Sequence, residues 1–120
     1  MSVSLFRYVP LSIHGMAEVV AAPVVMVAPF VLNMGMAATV VCFLIGAILF
    51  SLSLSLLDPR SIPLTSHAEF DYVLAVFAAV AGIAIGIATG DFVAMIFLVG
   101  VGVAQLALTA STRFSVPRGA

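Results

Sequence analysis

Four stretches of about twenty residues carry almost no charge: about Ile13 to Leu32, about Met36 to Leu57, about Phe70 to Ala88 and about Phe92 to Ala110. A helix rises about 1.5 Å per residue, so each is long enough to cross the ~30 Å hydrocarbon layer of a bilayer. Strands do not fit, because the runs are continuously apolar rather than alternating, and open sheet edges go unpaired in lipid. Composition agrees: of 120 residues 64% are hydrophobic and 8% charged. Four basic and five acidic side chains cannot cover a soluble domain, in which about a quarter of residues are charged. They also exclude a nucleic-acid partner, which requires a basic surface. A single cysteine, Cys42, excludes a disulfide framework and any Cys-rich metal cluster. The expectation is an all-α, polytopic membrane protein, one domain over residues 1–120, with the lipid bilayer as its first partner.

The interruptions give the topology. Asn33-Met34-Gly35 and Thr89-Gly90-Asp91 are short reversals rich in helix-ending residues. They make two tight helical hairpins. Between these lies Asp58-Pro59-Arg60-Ser61-Ile62-Pro63, whose two prolines exclude a continuous helix. Four spans put both termini and this linker on one side, together with Arg7, Arg60, Arg113 and Arg118, while the opposite turns hold no Lys or Arg. The positive-inside rule then places both termini in the cytoplasm of a plasma (inner) membrane. Arg7 and the following apolar run resemble a signal peptide, but the run exceeds the 7–15 residues of a signal core. It reads as a retained first span.

The chain also repeats itself. Val9-Pro10-Leu11-Ser12-Ile13-His14-Gly15-Met16-Ala17-Glu18 returns 53 residues later as Ile62-Pro63-Leu64-Thr65-Ser66-His67-Ala68-Glu69-Phe70-Asp71, using both histidines of the chain. Phe43-Leu44-Ile45-Gly46 matches Phe97-Leu98-Val99-Gly100 at an offset of 54. The reading is two parallel hairpin repeats, about 9–57 and about 62–111, related by a pseudo-twofold axis along the membrane normal.

Met26-Val27-Ala28-Pro29-Phe30-Val31-Leu32, a turn, and then Val40-Val41-Cys42-Phe43-Leu44-Ile45-Gly46 resemble the SPW-repeat integral membrane family, whose members pair two spans around a small-Pro-aromatic motif. Phe30 stands in place of the name-giving tryptophan, and the second hairpin has no proline at the equivalent place near Gly82. The resemblance implies a small bacterial membrane protein and no assigned activity.

The polar residues offer two chemistries. His14 and Glu18, like His67 and Asp71, are four apart and so share one helix face. If the two faces meet, two imidazoles and two carboxylates converge near the cytoplasmic boundary, a set suited to a divalent metal or a proton relay. The plainer alternative, which we place first, is structural: Ser12 and Thr65 as N-caps, Ser66–Glu69 as a capping box, and the carboxylates paired with the histidines or with Arg7, Arg60 and Arg113. Haem fits less well, because both histidines lie at the membrane edge. Ala78, Gly82, Gly86 and Gly90 repeat every four residues, a small-residue ridge for close helix packing inside the bundle or between copies. Ser51, Ser53, Ser55, Gln105 and Thr109 are expected to bond between helices, and Asp91 to cap the fourth helix. Cys42 reads as an apolar filler.

No nucleophile triad, phosphate-binding loop or HExxH motif is present, so no enzyme is expected. The leading functional expectation is a structural or accessory membrane protein acting through a homo-oligomer or a membrane-protein partner, without a cofactor. The alternatives are a small oligomeric transporter using Glu18 and Asp71, or a metal- or cofactor-binding protein using His14, Glu18, His67 and Asp71.

Overall fold

The computed structural model describes residues 7–58 and 62–114. Four helices follow one another: α1 Leu11–Val31, α2 Met36–Ser55, α3 Leu64–Thr89 and α4 Phe92–Ala110. Each is long and apolar enough to cross a membrane. α1 packs chiefly on α2 and α3 on α4, and the two hairpins meet along α2–α3 and α1–α4. Pro59, Arg60, Ser61 and Arg118, on which part of the topology reading rests, lie outside the described residues.

Hydropathy places the starts of α2 and α4 correctly and misplaces that of α3. This helix begins at Leu64 rather than Phe70, because the polar turn Thr65–Glu69 is helical too. The caps also differ from expectation. Ser12 and Thr65 sit inside the first turns, and the residues that open the helices are Pro10 (φ −64°, ψ 151°) and Pro63 (φ −63°, ψ 150°), neither with a side-chain cap. Proline is held near φ −65°, which suits the extended N-cap position. Its carbonyl accepts the first helical bond, from the His14 N–H and the His67 N–H respectively, each at 3.0 Å. At the far end Asp91 caps α4 as expected, Oδ1 accepting from the Ala94 N–H at 3.1 Å. Its Oδ2 accepts from the Gly35 N–H at 2.8 Å, which ties the two turns together.

All four helices bury residues at the same spacing of 4, 4, 3 and 4. On α1 these are His14, Glu18, Ala22, Val25 and Pro29; on α3 they are His67, Asp71, Ala75, Ala78 and Gly82. On α2 they are Ala38, Cys42, Gly46, Leu49 and Ser53; on α4, Ala94, Leu98, Gly102, Gln105 and Thr109. This 4-4-3 period is close to the 11-residue repeat that suits right-handed helix crossings. Glycine allows the close approach. A Cβ at Gly46 would stand 3.0 Å from the Ala22 carbonyl oxygen, and one at Gly102 2.6 Å from that of Ala75. Gly82 and Gly86 lie against Leu98 and Met95, so the ridge of Ala78, Gly82 and Gly86 is spent inside the second hairpin. Gly90 does not extend it. With φ 76° it ends α3, and a Cβ there would meet no neighbouring helix. Gly100, the sequence match of Gly46, also faces open space, and the glycine that meets α3 is Gly102.

The surface is apolar and the interior polar at one end. Val24, Val80, Ile96 and Ile87 (79% exposed) point outward, while His14 and Asp71 are fully buried. Water would favour the reverse arrangement, and a bilayer favours this one.

Candidate metal centre

His14 and His67 are each the fourth residue of their helix, and Glu18 and Asp71 each the eighth. The four side chains therefore stand about 5 to 11 Å along α1 and α3. They meet. His14 Nε2 lies 2.9 Å from Asp71 Oδ2 and 3.2 Å from Glu18 Oε2. His67 Nε2 lies 3.1 Å from Asp71 Oδ2 and 3.3 Å from Glu18 Oε1. Each imidazole thus faces the carboxylate of its own helix and that of the other. One ligand atom from each residue lies within 4.8 Å of all the others. The described arginines do not join them, as Arg113 Nε donates to the Arg7 carbonyl at 2.7 Å.

The outer nitrogens are also held. The Thr112 hydroxyl donates to the Leu108 carbonyl at 2.6 Å, so toward His14 Nδ1, 2.7 Å away, it acts as acceptor. Nδ1 of His14 therefore carries hydrogen and Nε2 faces the carboxylates. Ser55 repeats the arrangement at His67, donating to the Leu52 carbonyl at 2.6 Å and lying 3.3 Å from Nδ1. Metal-binding histidines are oriented in this way, the second nitrogen donating to an outer partner that fixes the tautomer.

Gln105 completes the far side of the cluster. Its Nε2 donates to Glu18 Oε2 and to Asp71 Oδ1, both at 3.0 Å. One turn later Thr109 Oγ1 is buried without a protein partner. A buried hydroxyl left so calls for a water or another ligand. The remaining side is closed by the segment after α4. Phe114 packs its ring against His14 (centroids 5.1 Å apart) and His67 (5.9 Å). Backbone bonds from Val9 N–H to Ser111 and from Arg113 N–H to Val9, each 2.9 Å, strap this segment to the residues before α1. The segments flanking α1 and α4 thus share one end of the bundle.

Two carboxylates in this setting need two positive charges, which two imidazolium protons or one divalent cation supply. The ligand atoms suit a cation. A tetrahedral ion at zinc–nitrogen and zinc–oxygen distances sets its ligands about 3.3 Å apart, and three of the six separations are 2.9, 3.1 and 3.3 Å.

Of the polar residues expected to bond between helices, Gln105 and Ser55 do so. Ser53 turns back to the Phe50 carbonyl of its own helix. Thr112 and Phe114 escape the sequence reading because they follow the last apolar span. The signal available was Thr112's position one turn beyond Leu108 at the end shared by both termini. The chain matches no protein-family model, no curated protein and no solved structure.

Proposed function

We propose that this chain is a non-enzymatic membrane protein that holds one divalent transition-metal ion between its two hairpins, through His14, Glu18, His67 and Asp71. The observation carrying this reading is the set of hydroxyl partners at Thr112 and Ser55, which turn both Nε2 atoms toward the carboxylates. The ion is resident rather than conducted. Every buried polar side chain among the described residues lies at the cluster end, and Ala22, Ala75, Ala78, Ile45 and Leu98 fill the bundle beyond it. A transporter using Glu18 and Asp71 lacks a polar path through that layer.

In this reading the chain is a duplicated hairpin, with the parallel pseudo-twofold arrangement of the sequence motifs. Support comes from the paired helix starts at Pro10 and Pro63, and from Gly46 on Ala22 beside Gly102 on Ala75. The offset is 53 residues through the first helix of each unit and 56 through the second. Arg7 and Arg113 at the cluster end support a cytoplasmic location for that end in a bacterial-type inner membrane. The SPW-repeat resemblance fits the same picture, and oligomerisation would use the apolar outer faces, since the glycine ridge is occupied internally.

The test is metal analysis of detergent-purified protein after equilibration with Zn2+, Fe2+ or Mn2+. One ion per chain is expected, and Glu18→Gln or His67→Ala should remove most of it. A protein that takes up none of these ions sinks the reading. That result favours the structural quartet, which the direct N···O distances of 2.9–3.3 Å already support as a set of ion pairs.

A further inference from the structure

The two carboxylates have four oxygens, and one side chain outside the quartet holds two of them. Gln105 Nε2 donates to Glu18 Oε2 and to Asp71 Oδ1, one oxygen from each. Asp71 Oδ2 faces both imidazoles and Glu18 Oε1 faces His67, while Glu18 Oε2, 3.2 Å from His14 Nε2, is shared between that imidazole and Gln105. Gln105 is itself buried, and α4 carries it there on the 4-4-3-4 row, where α2 has the apolar Leu49. The amide group is therefore a single polar placement in a row that is otherwise small or apolar up to Thr109.

We infer that Gln105 sets the coordination number of the site: by occupying one oxygen of each carboxylate it keeps both monodentate, and so selects four-coordinate cations such as Zn2+ and Co2+ over the hard cations Mn2+, Mg2+ and Ca2+. The inference rests on the metal reading above. With both carboxylates monodentate, the donor set is two imidazole nitrogens and two oxygens, a tetrahedral complement for zinc. Ca2+ requires six to eight oxygens, often through bidentate carboxylates, and Mg2+ and Mn2+ favour six oxygen-rich positions. Freeing Oε2 and Oδ1 would move the site in that direction. Gln105 touches no ion in this scheme, and acts as a positioning residue through Glu18 and Asp71.

The experiment loads detergent-purified protein with Co2+, whose visible absorption is intense when four-coordinate and weak when six-coordinate, and then measures competition between Zn2+ and Mn2+. The unmodified protein should give the intense band and prefer Zn2+. Gln105→Leu should weaken the band and lower Zn2+ affinity by about 10- to 100-fold, the usual effect of losing an outer-shell partner, while Mn2+ affinity holds or rises. Gln105→Met, which keeps an unbranched chain of similar length, serves if the leucine variant does not fold. A weak, six-coordinate band in the unmodified protein overturns the inference without any variant. An intense band and unchanged Zn2+/Mn2+ ratio in the variant overturn it alone, leaving the metal reading intact. Absence of any bound Co2+ or Zn2+ in the unmodified protein removes the metal reading and the inference with it.

Discussion

The two hairpins reach the same closeness by different means. In the first, the space above Gly46 is limited mainly by the Met26 side chain, with the Ala22 carbonyl oxygen behind it. In the second, Gly102 lies directly on the backbone of Ala75 and Ala79, and Gly82 and Gly86 add two further small positions against α4. Methionine yields and backbone does not. The first hairpin is therefore adjustable and the second rigid, and it is the rigid one that carries Gln105 to the two carboxylates. A polar group that must meet two fixed oxygens is better placed on the helix with less freedom.

The largest effect should come from breaking the balance between hairpins, since each contributes one imidazole and one carboxylate. In metal-free protein Asp71→Ala should lower stability by about 3–5 kcal/mol, the cost of leaving buried charge unpaired. Replacing His14, Glu18, His67 and Asp71 together with apolar residues of similar size should cost less. Unfolding in mixed micelles measures both, and an equal or greater loss in the quadruple variant would break the argument.

A smaller effect separates the packing of the two hairpins. Gly102→Ala should cost about 1–3 kcal/mol, as overpacking against fixed atoms does, and Gly46→Ala should cost less because Met26 can move aside. The reverse order, read from melting temperatures in the same detergent, would show that the first hairpin is the rigid one.

The smallest effect lies in the turns. Gly90→Ala should cost about 1–2 kcal/mol, because φ is 76° there and a Cβ is strained in the left-handed region. Asn33 holds φ 53° in the other turn, a conformation asparagine tolerates, so Asn33→Gly should leave the melting temperature nearly unchanged. A large change at Asn33 would mean that its side chain does more than accept the turn.

What could be read from the residues follows from how local the physics is. The four spans and the buried row with His14, Glu18, His67 and Asp71 depend on hydropathy and helical period, both of which are written along the chain. The start of α3 was not legible, because a hydropathy window cannot distinguish a polar helical turn at a membrane edge from a loop. Ser12 and Thr65 look like caps by residue type, yet Pro10 and Pro63 do the work through backbone geometry alone. Gly100 matches Gly46 as a letter within a similar four-residue string, whereas Gly102 matches it as a contact, since facing α3 depends on the angular phase of α4. Thr112, Phe114 and the two hydrogen bonds of Gln105 depend on which helix ends come together, and little that is local encodes that.

The bond between His14 and Thr112 joins residues 98 apart, and this bears on how the protein is made. Within the first hairpin alone, Glu18 has His14 as its ionic partner, at 3.2 Å. Asp71 and His67 come with the third helix, Gln105 with the fourth, and Thr112 and Phe114 with the residues that follow it. The quartet is thus complete only when α1 and α3 are both in place, and its outer partners Gln105 and Thr112 are added only by α4 and the residues after it.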